Sequence, residues 1–223
     1  MASGTCIVLT DMLRRQQRRP DELIEDTSAA APSAAETRVP SRAFPKFLSA
    51  LGPREHLTII DVGPAVGSNL EFFGQRAACK IYIEDLFSEI EKHARNGARE
   101  KLATVLPPRI RQGDATVDAV LCWDIFDFLD KNTAQAFARE LVRVMRPGAA
   151  LFGLFANAAG QQSQYTKFVI ADESHFIHRP MPATPVARQV LQNRDIIRLF
   201  DGLLVSDSFL LLTHTREIVF RKR

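Results

Sequence analysis

The residues best suited to bind a ligand lie in the stretch Leu57–Leu70. Four largely apolar residues lead to Asp61, and Gly63 and Gly67 then bracket a tight turn before a helix-like run. This order is typical of a buried parallel strand that passes into a helix across a ligand-binding turn. Glycine lets a ligand approach the backbone closely, and the first N–H groups of the helix face the crevice. A dinucleotide fingerprint would instead read Gly-x-Gly-x-x-Gly.

Strands and helices alternate on both sides of this turn, and two consecutive strands close the chain. Predicted strands are Leu57–Val62, Lys80–Glu84, Val117–Cys122, Ala149–Phe155, Leu203–Leu212 and Arg216–Arg221, and predicted helices are Arg42–Leu51, Asn69–Arg76, Phe87–Leu102, a Thr133-capped helix to Met145, and Ala187–Phe200. Residues 103–117 hold at most a stunted third strand. The order predicts an α/β fold with a Rossmann-like, mostly parallel sheet, helices on both faces and an antiparallel strand near the C-terminal edge.

The N-terminal part of the chain differs in composition from the rest. Residues 1–40 contain no aromatic residue and carry an alanine-rich, serine-containing run, which is typical of a flexible segment. We expect a single α/β domain over residues 41–223. A short helix over Asp11–Arg19 is the one element expected before it, and that helix could fold over the ligand site as a lid.

Charge, apolar runs and cysteine spacing indicate which partners and which cellular compartment to expect. The 223 residues carry a net charge of +3 and no basic stripe with interleaved aromatics, so nucleic acid is not an expected partner. No apolar run approaches the roughly 20 residues needed to span a bilayer, so no membrane association is expected. Cys6, Cys79 and Cys122 are widely spaced, which indicates neither disulfides nor a metal site and favours a reducing, cytoplasmic setting.

The turn resembles the first motif of the class I S-adenosylmethionine-dependent methyltransferases, and the likeness extends over roughly residues 41–223. That motif reads acid-x-Gly-x-Gly-x-Gly, which Asp61–Gly67 follows except at Ala65. The resemblance implies S-adenosylmethionine as the cofactor. On this basis the cofactor-binding residues of the first motif and its helix are Asp61, Gly63, Ala65, Gly67 and Asn69.

The family's second motif is an acid at the end of the second strand, which holds the two ribose hydroxyls. Glu84 and Asp85 both stand there, and a carboxylate can accept both hydroxyl protons. We expect Glu84 to bind the ribose and Asp85 to cap the following helix, with Asp85 kept as a second cofactor candidate. Asp114 is the nearest candidate for the acid that recognises adenine, and it suits a turn equally well.

By the same resemblance, the residues after the strand Asp118–Cys122 face the sulfonium and the methyl acceptor. Cys122 and Trp123 are then cofactor contacts, Asp124 a catalytic residue and Phe126 a substrate contact. The alternative is that Trp123 and Phe126 anchor the core while Asp124 starts a helix. No Asn/Asp-Pro-Pro-Tyr element is present, which argues against nucleobase amino groups and glutamine amides as acceptors.

The long connection over residues 156–187 is expected to cover the acceptor side of the site and to determine substrate choice. A hairpin is predicted within it, from Thr166–Ala171 and His175–His178. The two histidines are three residues apart and so point to opposite strand faces, which argues against a shared metal. His175 is the candidate base, and Tyr165 and Arg179 are candidate acceptor contacts. The alternative is an edge hairpin that pairs with a second copy in a homodimer.

Two functions of different classes account for these residues. The first is S-adenosylmethionine-dependent methyl transfer to a small-molecule acceptor, in which the protein aligns donor and acceptor and adds a base where the acceptor loses a proton. The second is a methyltransferase-fold cofactor-binding or regulatory protein without transfer activity, which Ala65 and the missing third strand favour. The glycine spacing argues against a third reading, a nicotinamide-dependent oxidoreductase.

Overall fold

A seven-stranded sheet and a smaller three-stranded sheet organise the chain, whose computed structural model describes residues 6–9, 36–158, 165–181 and 186–223. The strands are β1 Cys6–Leu9, β2 Thr37–Pro40, β3 His56–Asp61, β4 Ala78–Ile83, β5 Val117–Trp123, β6 Met145–Ala156, β7 Thr166–Asp172, β8 His175–Pro180, β9 Leu203–Leu210 and β10 Thr215–Lys222. The α-helices are α1 Phe44–Leu51, α2 Gly67–Gly74, α3 Phe87–Arg95, α4 Leu102–Val105, α5 Lys131–Val144 and α6 Asn193–Leu199.

The large sheet has the order β1-β4-β3-β5-β6-β10-β9. In this sheet β1, β4, β3, β5 and β6 each pair in parallel with their neighbours in that order. β10 pairs antiparallel with both β6 and β9. The expected Rossmann-like sheet with an antiparallel strand near the C-terminal edge is therefore confirmed. Across the described part of the chain, no helix combines the length and apolar character that a membrane crossing requires.

The N-terminal segment departs from the expectation of a flexible region that ends near residue 40. Cys6–Leu9 pairs in parallel with β4 at the edge of the large sheet. Residues 103–116, predicted to hold at most a stunted third strand, form no strand. Thr37–Pro40 pairs antiparallel with β8. The open edge of β4 offers unpaired backbone groups that any apolar extended segment can satisfy, whereas residues 103–117 include Pro107 and Pro108 and form short helical turns. The helix predicted over Asp11–Arg19 lies outside the described residues.

Three predicted helix bounds are also corrected. The helix expected to run to Leu102 stops at Arg95, because Gly97 adopts a φ of 62° that ends the helical path. Asp130, not Thr133, caps α5 and accepts hydrogen bonds from two backbone N–H groups. The last helix covers only Asn193–Leu199, and the preceding residues from 187 are not helical.

The central strands are buried on both faces by apolar side chains. One face packs against α1, α2 and the β7–β8 hairpin, with Phe44, Phe47 and Phe152 among the fully buried rings. The opposite face packs against α3, α4, α5 and α6. Every residue of β5 is buried, as the sequence of a central parallel strand requires.

Two buried carboxylates fix the positions of neighbouring elements, Asp118 near the start of β5 and Glu217 opposite Leu154 near the end of β6. Asp118 of β5 accepts hydrogen bonds from Arg54 Nη1 at 2.6 Å and Thr58 N at 2.9 Å, and it pairs with Arg146. Glu217 of β10 accepts from the backbone N–H groups of Arg42 and Ala43, at the start of α1. Its carboxylate satisfies N–H groups that the helix itself leaves unpaired.

Replacing Glu217 by alanine should lower the free energy of unfolding by about 1–3 kcal/mol, because two N–H groups, one buried and one partly buried, lose their acceptor. Glu217→Gln keeps an acceptor oxygen and should cost less than the alanine variant. Urea denaturation of both variants measures the difference. Glu173→Ala is the matched control, since Glu173 forms an exposed ion pair with Arg76 and should stay within about 1 kcal/mol of wild type. Equal losses for all three variants would contradict this role of Glu217.

Candidate functional site

The carboxyl ends of β3, β4 and β5 meet at one edge of the sheet and bring the predicted motifs together. Asp61 ends β3, and its register partners are Ile83 of β4 and Leu121 of β5. The backbone N–H of Glu84 donates to the carbonyl of Asp61 at 2.8 Å. Ligands of open α/β sheets bind outside this end of the strands.

The Asp61 carboxylate is buried and holds the turn that follows it. Its Oδ1 accepts hydrogen bonds from Gly63 N at 2.9 Å and from Trp123 Nε1 at 2.6 Å. Burial raises the pKa of Asp61 to about 6, and this effect outweighs the two hydrogen bonds, which lower it. The carboxylate thus links the turn to the end of β5.

The two glycines of the turn serve different purposes. A Cβ on Gly63 would lie 2.6 Å from Cδ1 of Trp123, so the close approach of the indole requires glycine there. A Cβ on Gly67 would meet no atom within 4 Å, and Gly67 does not adopt a positive φ. The space beside Gly67 is therefore open, and Ala65 is exposed next to it.

The two acids after β4 have different partners. Glu84 is 9% exposed, and its Oε2 accepts from Arg109 Nη2 at 3.1 Å and Nε at 3.3 Å. Asp85 Oδ1 accepts from Ser88 N at 3.4 Å in the first turn of α3, which is the contact of a capping residue. Asp114 is exposed and pairs with Arg143.

The β7–β8 hairpin lies against the end of β5 through aromatic stacking. Trp123 is 2% exposed, has a φ of 48°, and stacks on Phe168 with ring centroids 5.4 Å apart and an interplanar angle of 5°. Asn69 fixes the hairpin from the other side, because its Nδ2 donates to Phe168 O and its Oδ1 accepts from Ile170 N. Both polar side-chain atoms of Asn69, which was predicted as a cofactor residue, are thus hydrogen-bonded to the hairpin.

Asp124, the next residue after Trp123, begins a set of buried polar side chains. Its Oδ2 accepts from Arg188 Nη2 at 2.5 Å, and burial raises the pKa of Asp124 to about 6 while the Arg188 charge opposes the rise. Asp127 accepts from Ala156 N at 2.9 Å. Burial raises the pKa of Asp127 well above its usual range, and the Asp124 charge adds to the effect.

Tyr165 and His178 belong to the same neighbourhood. Burial raises the pKa of Tyr165 to about 12, with a smaller contribution from Glu91, and the charge of Asp124 also acts on it. Burial, together with a smaller contribution from the Arg188 charge, lowers the pKa of His178 to about 4, so this imidazole is neutral at physiological pH. We call Asp124, Asp127, Tyr165, His178 and Arg188 the buried polar cluster.

Several predicted site residues lie elsewhere. His175, the predicted base, sits at the hairpin turn, where its Nδ1 contacts Asp172. Arg179, predicted as an acceptor contact, pairs with Glu36 on the exposed side of the hairpin. Phe126 is a core residue packed against Phe137, Phe155 and Phe200, because the 3-10 turn Ile125–Phe128 directs it inward.

Cys122, predicted as a cofactor contact, is also packed in the core. Its side chain is fully buried, and burial raises the pKa of its thiol well above the usual value. Three residues of the buried polar cluster were not predicted, namely Asp127, His178 and Arg188. The alternation of β8 carried a signal for His178, since it must face away from His175.

Comparison with known proteins gives a family for the segment that contains these motifs. Residues 60–153 match the family model described as a methyltransferase domain. This match confirms the resemblance to methyltransferases drawn from Asp61–Gly67. No curated protein matches the chain.

Solved structures with a similar chain path were also found. A methyltransferase dependent on S-adenosylmethionine from Clostridium acetobutylicum ATCC 824 is 11% identical, with 82% of this chain and 92% of that chain covered and a TM-score of 0.48. The 1,6-didemethyltoxoflavin-N1-methyltransferase of Burkholderia thailandensis, with 1,6-didemethyltoxoflavin and S-adenosylhomocysteine bound, is 14% identical, with 81% and 77% covered and a TM-score of 0.49.

The buried carboxylate of Asp61 gives a testable dependence of stability on pH. Between about pH 4 and pH 6 the native state holds a proton that the unfolded chain has lost, so the free energy of unfolding falls as pH rises. Asp61→Asn keeps an acceptor for Gly63 and Trp123 without the charge. Relative to wild type, it should gain up to about 3 kcal/mol between pH 4 and pH 7.

Urea denaturation of both proteins at a series of pH values measures this difference. The titration of Asp124 is present in both proteins and cancels in the comparison. If the free energies of unfolding of wild type and Asp61→Asn changed in parallel from pH 4 to pH 7, the pKa of Asp61 would not be raised in the native state.

Proposed function

We propose that this chain, whose residues 60–153 belong to the methyltransferase-domain family, binds S-adenosylmethionine and transfers its methyl group to a small-molecule acceptor. One observation supports this most strongly. The Asp61–Gly67 turn and Glu84 lie side by side at the carboxyl edge of the sheet, joined by the Glu84 N–H and the Asp61 carbonyl at 2.8 Å. Both are within the matched segment.

The residues at this edge fit the chemistry of the cofactor at its adenosine end. Glu84 offers a nearly buried carboxylate that can accept hydrogen bonds from two neighbouring hydroxyls. The open space beside Gly67 admits a ligand against the backbone at the start of α2. When bound, S-adenosylmethionine supplies a methyl group on a positively charged sulfur, which is a good leaving group in an in-line displacement.

The protein's own contribution is then position and proton transfer. Holding donor and acceptor in line replaces a bimolecular encounter by a step within one complex. Asp124 has a pKa of about 6 and is mostly ionised at neutral pH, so it can take a proton from an acceptor. Arg188, at 2.5 Å, favours the ionised form that this role needs.

A second function, cofactor binding without transfer, is favoured by a specific contact. The Trp123 indole lies directly over Gly63 and donates to Asp61, and Phe168 stacks on its outer face. A ligand that reached Gly63 would have to move this indole. If the indole stays in place, the chain binds adenosyl ligands through Glu84 and the region of Gly67 alone.

Substitutions on the two supporting elements test cofactor binding. Gly67→Val should abolish or greatly weaken S-adenosylmethionine binding, since its side chain enters the open space where no protein atom lies within 4 Å of a Cβ. Glu84→Ala should cost about 1.5–3 kcal/mol of affinity for S-adenosylmethionine and S-adenosylhomocysteine, because charge-assisted hydrogen bonds to ribose are lost. Isothermal titration calorimetry measures both.

Asp85→Ala is the matched control, because Asp85 contacts the first turn of α3 and should leave affinity nearly unchanged. Circular dichroism checks that each variant is folded. Wild-type affinity in a folded Gly67→Val protein would refute the proposed position of the cofactor. A larger loss in Asp85→Ala than in Glu84→Ala would show that the two acids have exchanged roles.

A further inference from the structure

The buried polar cluster contains polar atoms that are buried and have no hydrogen-bond partner. Within the described residues these are Oδ1 of Asp124, Oδ1 of Asp127, the hydroxyl of Tyr165, Nε2 of His178 and Nε of Arg188. More than nine in ten buried polar groups in proteins have a partner, so an accumulation of five in one place calls for a physical reason.

These five side chains form a single neighbourhood and not scattered exceptions. Asp124 and Arg188 are joined at 2.5 Å. The charges of this pair act on Asp127, the charge of Asp124 acts on Tyr165, and that of Arg188 acts on His178. All but Arg188 are buried or more than half buried, and the Arg188 side chain, 24% exposed, marks the side nearest to solvent.

Aromatic rings surround the unpaired atoms. The Arg188 guanidinium lies 5.1 Å from the centre of the Phe128 ring, and the Tyr165 ring packs edge-on against Phe128 at 4.7 Å. The His178 ring packs edge-on against Phe168 at 4.9 Å. The surroundings of the polar atoms are therefore aromatic, which favours a ligand that itself carries an aromatic ring.

We propose that the buried polar cluster binds a small aromatic hydroxy acid, and that its hydroxyl oxygen is the methyl acceptor. The proposal rests on the proposed function and adds to it the chemical class of the acceptor. A carboxylate would accept hydrogen bonds from Arg188 Nε and the Tyr165 hydroxyl, which are both donors without an acceptor. A phenolic hydroxyl would donate to Asp124 Oδ1, which has no donor.

Two arginines give the cluster cationic donors without an acceptor. Arg188 and Asp124 neutralise each other, and His178 is neutral at physiological pH. Arg99 and Glu91 carry opposite charges that both act on Tyr165. Nε of Arg188 and Nε of Arg99 are both buried without an acceptor, which an incoming carboxylate would supply.

The transfer step moves one proton and one methyl group. Asp124 takes the phenolic proton, and a lone pair of the freed oxygen forms the new bond to the methyl carbon. The carbon–sulfur bond of the donor breaks, and its electron pair stays on the sulfur, which becomes neutral. The proton leaves Asp124 for water after the methyl ether departs.

Calorimetry with three probes tests the class of ligand on the full chain without cofactor. The probes are 4-hydroxybenzoate, benzoate, which lacks the hydroxyl, and phenol, which lacks the carboxylate. We expect 4-hydroxybenzoate to bind at least tenfold more tightly than either of the other two. No binding of 4-hydroxybenzoate, or equal binding of benzoate, would overturn the proposal.

Tyr165→Phe separates ligand binding from folding. The variant removes a buried hydroxyl that has no partner, so its melting temperature should equal or exceed that of wild type. Its affinity for 4-hydroxybenzoate should fall about five- to tenfold, the loss of one hydrogen bond. Arg179→Ala, on the exposed side of the hairpin, is the control and should bind the probe as wild type does.

Separate titrations distinguish failure of this inference from failure of the proposed function. Normal S-adenosylhomocysteine binding with no 4-hydroxybenzoate binding would overturn the acceptor class and leave the proposed function standing. Binding of 4-hydroxybenzoate that Tyr165→Phe weakens, in a protein that binds no adenosyl ligand, would support the site and refute the methyltransferase. An unchanged affinity in Tyr165→Phe would overturn the assignment of these side chains.

Discussion

The hydrogen bond from Trp123 Nε1 to Asp61 Oδ1, 2.6 Å long, is the contact on which the site depends. It joins the end of β5 to the turn after β3, and it places the indole directly over Gly63. Phe168 of the hairpin stacks on this indole, with the two rings nearly parallel. The turn and the hairpin are thus held by one side chain.

Consecutive residues of β5 and the turn after it serve the two halves of the site. Trp123 packs with the apolar cluster that contains Phe168 and α1, whereas Asp124 pairs with Arg188 in the buried polar cluster. The two parts of the site therefore meet at a single peptide bond, where Trp123 adopts a φ of 48°.

Local patterns in the sequence were sufficient for the central strands, the turn and the hairpin. The apolar run before Asp61, the acids after β4 and the alternation around the turn of β7 and β8 each depend on neighbours in the chain. The strand at Cys6–Leu9 could not be assigned to the large sheet, because its partner β4 lies about seventy residues away and a four-residue apolar run has no preference of its own.

The contacts of the site also join residues that are far apart in sequence. Arg188 and Asp124 are 64 residues apart in sequence, and nothing local indicates that they pair. The alternation of β8 did indicate that only one of His175 and His178 faces the site, but only the packing of Phe168 identifies His178. Asn69 follows the motif at the start of α2, yet its amide is used by the hairpin, a contact across about a hundred residues.

Trp123 is the single tryptophan of the chain, so its fluorescence reports directly on the centre of the site. The account predicts that titration with S-adenosylhomocysteine changes tryptophan emission saturably, with the same midpoint as the calorimetric heat, because the ligand binds beside the indole that Asp61 holds. Saturable heat without any change in tryptophan emission would place the ligand elsewhere. The absence of both heat and an emission change would contradict cofactor binding itself.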